Sequence, residues 1–217
     1  MSQRLALFDC DGTLVDGQAG VVNAMEAAFA EAGLPAPDRH LVRRAVGLSL
    51  PQAIRMLAPD ADEARRIAAD AAYRDAFRMA REAGQLVEPL YDGIADLVAA
   101  LADEGWLLGV ATGKSERGLS HCLASHSLTA RFVTLQTADH HPSKPHPSMI
   151  ETALAETGVD PAACVMIGDT QYDMAMAVNA GVRAIGVNWG YHSAEELIEA
   201  GAEVVARDPA HLKELLG

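Results

Sequence analysis

Arg4-Leu5-Ala6-Leu7-Phe8, followed at once by Asp9-Cys10-Asp11-Gly12-Thr13-Leu14-Val15-Asp16, is the stretch that decides the fold. Its first five residues are nearly all apolar, the pattern of a strand buried on both faces of a parallel sheet. Ligands in such a sheet bind beyond the carboxyl ends of the strands, and here two carboxylates stand at that end. Asp9 and Asp11 suit chemistry in which one attacks and the other moves a proton, while Gly12 lets the chain turn sharply. A solvated Asp-Gly turn is the plainer alternative for an isolated pair. Cys10 alternates away from its neighbours, so its sulfur is expected in the core.

Working outward, Trp106 to Ala111, Cys164 to Ile167 and Arg183 to Val187 repeat the strand pattern. Between them, Ile94, Leu97, Val98 and Leu101 fall at helical spacing after a cap at Asp92, and Gly105 is placed to stop the helix. Gly158 and Gly181 do the same after helices near Ile150 and Met176. The alternation predicts an α/β fold, a Rossmann-like doubly wound parallel sheet. One stretch interrupts it. From Gln18 to Leu86 the chain is helical in pattern throughout, with Val22, Met25, Ala28 and Phe29 in register. It predicts an inserted all-helical domain at 16–87, with 1–15 and 88–217 forming the sheet domain. Val15-Asp16-Gly17 and Val87-Glu88-Pro89 are the expected hinges.

The chain has 217 residues, 50% of them hydrophobic, and a formal net charge of −13. That charge disfavours nucleic acid and anionic membrane surfaces as partners. No apolar run of membrane-spanning length and no secretory signal is evident, so a cytoplasmic location is expected. Cys10, Cys122 and Cys164 form no C-x-x-C pair, which argues against zinc and disulfide frameworks. Oligomeric state leaves no trace. A small anion could bind such an acidic chain only where cations gather locally.

Three later strand ends offer the groups for that. Thr112-Gly113 places a hydroxyl and a backbone N–H at a helix start, a cradle for phosphate. Lys144, one of three lysines, lies in Pro142-Ser143-Lys144-Pro145-His146-Pro147 just before a helix. Gly168-Asp169-Thr170-Gln171-Tyr172-Asp173 follows a buried strand, and its paired carboxylates suit a hard cation such as Mg²⁺. Asp173 could instead serve the helix N-terminus.

In this order, D-x-D-G-T-L-x-D at 9–16, Thr112-Gly113, Lys144 and G-D-x-x-x-D at 168–173 resemble the four motifs of the haloacid-dehalogenase superfamily. The resemblance implies a phosphatase with a helical cap, acting on a small phosphorylated metabolite through an aspartyl-phosphate. Asp9 would be the nucleophile and Asp11 the general acid and base. Thr112, Gly113 and Lys144 would hold the phosphate. Mg²⁺ would lie between Asp9, Asp169 and the Asp11 backbone carbonyl, with Asp173 and Gly12 in support. The family often has Asn where Gly113 stands.

Asp11 separates the chain from dehalogenases, which have no alcohol to protonate. The absence of lysine between Gln18 and Leu86 removes the Schiff-base route of phosphonoacetaldehyde hydrolases. Val46-Gly47-Leu48-Ser49-Leu50 and Gly168-Asp169-Thr170 look most like the phosphoglycolate phosphatase branch. A β-phosphoglucomutase-like transfer and pyrophosphatase or sugar-phosphate phosphatase activity are the alternatives. In the cap, Arg43, Arg44, Gly47 and Ser49 are the expected substrate-reading residues. His140, His141 and His146 flank Lys144 and suit loop turns better than Mg²⁺. A P-loop fails on spacing, since Gly109 to Gly113 leaves three residues where four are needed. A phospho-receiver module would be much shorter and have no insert.

Overall fold

The computed structural model describes residues 3–217, so the first two residues of the expected core segment lie outside it. Among the described residues the sheet has six parallel strands: β1 (Arg4–Phe8), β2 (Trp106–Thr112), β3 (Thr134–Thr137), β4 (Cys164–Gly168), β5 (Arg183–Val187) and β6 (Val204–Ala206). Their order is β3-β2-β1-β4-β5-β6. The chain therefore winds outward from β1 in both directions, and a crevice opens at the carboxyl ends of β1 and β4.

The period-two alternation of β1 explains the layering. Ala6 and Phe8 face one side, with Leu97, Val98 and Leu101 of α5 (Ile94–Asp103) and Leu119 of α6 (Glu116–Ser125). Leu5 and Leu7 face the other, with Met149 and Ile150 of α7 (Ser148–Thr157) and Met174 and Met176 of α8 (Gln171–Ala180). Each strand is thus buried twice, which is why it reads as a continuous apolar run. Among the described residues no helix is long and apolar enough to cross a membrane.

β3 and β6 were not legible in the sequence. Thr134-Leu135-Gln136-Thr137 is mostly polar, and β6 is three residues long. Gln136 is buried because its amide oxygen accepts from His141 Nε2 at 2.8 Å and its nitrogen donates to Glu156 at 2.9 Å. The cap expected at Asp92 also shifts. Gly93, at φ +85°, is the N-cap of α5, because the chain reverses there in the left-handed region. Gly105, Gly158 and Gly181 do end their helices with positive φ.

The stretch between β1 and α5 folds as α1 (Gln18–Glu31), α2 (Arg39–Arg44), α3 (Leu50–Leu57) and α4 (Glu63–Glu82). These helices have their own apolar cluster, with Val22, Met25 and Phe29 of α1 against Ile54 of α3 and Ala69 of α4. The two chain passages that join them to the sheet lie side by side: Asp16 N donates to Pro89 O at 2.8 Å and Tyr91 N to Leu14 O at 3.1 Å.

Candidate active site

Asp9 is the first residue beyond β1, its N–H still donating to Ile167 O of β4 at 2.9 Å, and it is buried. Its Oδ1 accepts from Cys10 N at 2.6 Å and lies 3.0 Å from Lys144 Nζ. Its Oδ2 is buried with no hydrogen-bond partner among the described residues. Lys144 also donates to Asp173 Oδ1 at 2.6 Å. An ammonium without water around it must be matched by carboxylates, and here it is matched by two. Burial pushes the Asp9 carboxyl up to about 7 against the opposing pull of Lys144. Burial would lower Lys144, but Asp173 and Asp9 outweigh it and hold the ammonium charged.

Asp169 follows β4 and is equally buried. Thr13 Oγ1 donates to its Oδ1 at 2.8 Å and Tyr191 N to its Oδ2 at 3.0 Å. Desolvation pushes this carboxyl well above the usual range, and the Asp9 and Asp173 charges add to the effect. Gly12 is what allows Asp169 so close. At φ +86°, a Cβ on it would lie 2.2 Å from Asp169 Oδ2.

Asp9, Asp169 and Asp173 gather within 4.8 Å of one another. The donors are all carboxylate oxygens, the set a hard divalent cation prefers, and the free Oδ2 of Asp9 gives one of them an open lone pair. The residues therefore fit such a cation. Asp173 contributes indirectly. Its Oδ1 is taken by Lys144, and its Oδ2 accepts from Thr170 N at 3.0 Å and Thr170 Oγ1 at 2.7 Å, forming the capping box of α8. The helix N-terminal reading of Asp173 is met by this capping box.

The Asp11 side chain points elsewhere. Its Oδ1 lies 3.0 Å from Lys114 Nζ, an ion pair short of hydrogen-bond geometry, and Lys114 donates to Glu88 Oε1 at 2.6 Å. Burial raises the Asp11 carboxyl, with Lys114 opposing and Glu88 adding to it. Lys114 and Glu88 were missed as site residues. The available signals were a lysine directly after Thr112-Gly113 at a strand end and an acid within the expected hinge. Thr112 is buried at the end of β2, where its Oγ1 accepts from Lys114 N at 3.2 Å.

The loop between α2 and α3 reaches onto these strand ends. Ser49 N donates to Ser143 Oγ at 2.8 Å. A Cβ on Gly113 would lie 2.5 Å from Leu48 O and 2.8 Å from Gly47 O. The side chain missing at 113 leaves room for the cap loop. Gly47 and Ser49 line a cavity of about 580 Å³ with Asp9, Asp11 and Gly113. Arg43 and Arg44, the other two expected there, are not among its lining residues. Arg43 is exposed, and Arg44 is held away by Glu196 at 2.6 Å, an ion pair that fastens α2 to α9 (Ala194–Glu199). His141 bridges Ser148 Oγ and Gln136 Oε1, each at 2.8 Å, and exposed His140 lies 3.2 Å from Glu116, so both are engaged in the loop.

Carboxylates and an ammonium gathered at the switch point of a parallel α/β sheet fit a hydrolase, and the chain belongs to the haloacid dehalogenase-like hydrolase family, whose pattern it matches over residues 6–187. It is a phosphoric monoester hydrolase. It is 37% identical to the probable phosphatase IndB of Dickeya dadantii over 93% of this chain and 88% of that protein. It is 31% identical to the tyrosine-protein kinase PtkA of Mycobacterium tuberculosis over its full length and 73% of that protein. The crystal structure of a "predicted phosphatase" from Clostridium acetobutylicum superposes with a TM-score of 0.88 at 28% identity, covering 100% of this chain and 99% of that one.

Proposed function

We propose that the protein is a Mg²⁺-dependent, cytoplasmic phosphatase that hydrolyses a small phosphorylated metabolite through an aspartyl-phosphate on Asp9. The observation that carries this is the Lys144 ammonium between Asp9 at 3.0 Å and Asp173 at 2.6 Å, beside an unpartnered Asp9 Oδ2. One carboxylate oxygen is held and the other has no partner in the protein. In the first half-reaction an Asp9 oxygen bonds to phosphorus as the P–O bond to the alcohol breaks, and Asp11 gives its proton to the leaving oxygen. In the second, water attacks phosphorus, loses a proton to Asp11 and releases phosphate from Asp9. Lys144, Thr112 and Gly113 hold the phosphoryl oxygens. Mg²⁺ on Asp9, Asp169 and the Asp11 carbonyl would neutralise developing charge. Residues 16–87 act as a cap that excludes water.

Phosphoglycolate is the substrate that the sequence motifs favour. Transfer from Asp9 to a second alcohol, in place of water, is an alternative favoured by the kinase name of one relative. A single assay separates these. Purified protein with Mg²⁺ is expected to release inorganic phosphate from p-nitrophenyl phosphate and from phosphoglycolate, and to lose that activity in EDTA. Metal-independent release, or a new phosphoester without free phosphate, would contradict the reading.

A further inference from the structure

The cavity over Asp9 is far larger than a phosphoryl group with a two-carbon alcohol. At about 580 Å³ it falls in the range of roughly 300–1,000 Å³ of clefts that enclose drug-sized ligands. Its cap side is largely apolar. Met25, Val46 and the Tyr73–Phe77 pair, with ring centroids 4.9 Å apart, form much of that wall. A glycolate-sized leaving group could not cover it.

Four arginines line the same cavity. Arg74, Arg78 and Arg81 recur at i, i+4 and i+7 on α4 and all line it, as does Arg117 in the first turn of α6. Arg74 and Arg78 are matched, by Asp70 at 2.5 Å and Asp75 at 2.9 Å. Arg81 and Arg117 have no carboxylate partner among the described residues, and Arg81 Nε is buried without an acceptor. The unpaired guanidiniums of half-buried Arg81 and exposed Arg117 on this cavity wall leave N–H groups free for an oxyanion.

We propose that the substrate's alcohol is bulky and partly apolar and carries a second oxyanion that meets Arg81 and Arg117. The proposal rests on the phosphatase reading of Asp9 and narrows its substrate away from phosphoglycolate. Four probes separate size from charge: p-nitrophenyl phosphate, phosphoglycolate, 2-naphthyl phosphate and 6-carboxy-2-naphthyl phosphate. With Mg²⁺ present, kcat/KM for the carboxynaphthyl ester is expected to exceed that for phosphoglycolate and for the naphthyl ester by at least about tenfold each. In the Arg81→Gln/Arg117→Gln double variant its advantage over the naphthyl ester is expected to shrink to within about threefold. Ratios measured on one preparation are unaffected by partial misfolding. Equal or better turnover of phosphoglycolate overturns the proposal, as does a carboxylate preference that survives the double variant. Failure to hydrolyse any of the four overturns the phosphatase reading itself, and this proposal with it.

Discussion

Lys114 and Asp11 form an ion pair at 3.0 Å inside the protein, and Glu88, 2.6 Å from the same ammonium, ties that pair to the chain passage returning from the cap. Removing the ammonium leaves two buried carboxylates unmatched, which costs about 3–5 kcal/mol for a buried pair. Lys114→Met should therefore lower stability in urea by about that amount, and adding Glu88→Gln should restore part of it. Its kcat should fall more on an alkyl phosphate than on p-nitrophenyl phosphate, since the second leaving group needs no proton from Asp11. Equal losses on both would detach Lys114 from Asp11.

The two aspartates at 9 and 11 should fail differently. Asp9→Asn removes the attacking oxygen and should abolish turnover of every ester. Asp11→Asn should lose about 10²–10⁴-fold in kcat/KM, which reports formation of the adduct, on alkyl phosphates, the usual share of general acid catalysis, and much less on p-nitrophenyl phosphate. It should also accumulate a phosphoryl adduct on the Asp9 peptide, visible by mass spectrometry after acid quenching. An adduct on another residue would refute the nucleophile assignment.

Mg²⁺ should stabilise the folded chain, because the gathered carboxylates of Asp9, Asp169 and Asp173 exist only when it is folded. At a hundredfold excess over Kd the gain is about 2.7 kcal/mol, readable as a rise in Tm of EDTA-treated protein on adding the metal. Asp169→Asn should abolish the rise. A variant that keeps the full shift places the ion elsewhere.

Gly113→Asn, which introduces the residue common in the family, should be unfavourable here. Its Cβ would meet Leu48 O at 2.5 Å, and displacing backbone by overpacking costs about 1–3 kcal/mol. The variant should unfold at lower urea and show altered KM through the displaced Gly47–Ser49 loop. Unchanged stability would mean that this loop yields freely.

The Arg44–Glu196 pair should carry a modest, pH-dependent stability. Its hydrogen bond to Arg44 lowers the Glu196 carboxyl from 4.5 to about 2. A depressed carboxyl stabilises the fold fully above its unfolded value and loses that contribution as pH falls toward 2. The pair is solvent-screened, so Glu196→Gln should cost under about 1 kcal/mol at pH 7. The difference from wild type should vanish between pH 4.5 and 2. A gap that persists in acid would point to packing instead.

Much of this was written in the chain. β1, β2, β4 and β5 are buried on both faces, so each is a run of apolar residues that no surface element would need, and the groups at their ends follow from where those strands stop. Asp9, Thr112 and Asp169 were singled out in this way, and Lys144 by its proline-flanked loop before a helix. The insert announced itself because α1 to α4 have a 3.6-residue period and no strand between them. β3 stayed hidden because Thr134 and Gln136 are buried through hydrogen bonds to Glu156 and His141, partners fixed only by the fold.

The sequence by itself determined the parallel sheet, the helical insert and the acids at the strand ends, since local periodicity and chain order are enough to specify them. Only the tertiary structure decided which charge meets which. It paired Lys114 with Asp11 and Glu88, turned Arg44 to Glu196, and set Arg81 and Arg117 at the cavity without acids of their own. Coulomb attraction acts through space in a medium whose dielectric depends on burial. Neither the distances nor the burial exist until the cap has folded against the core.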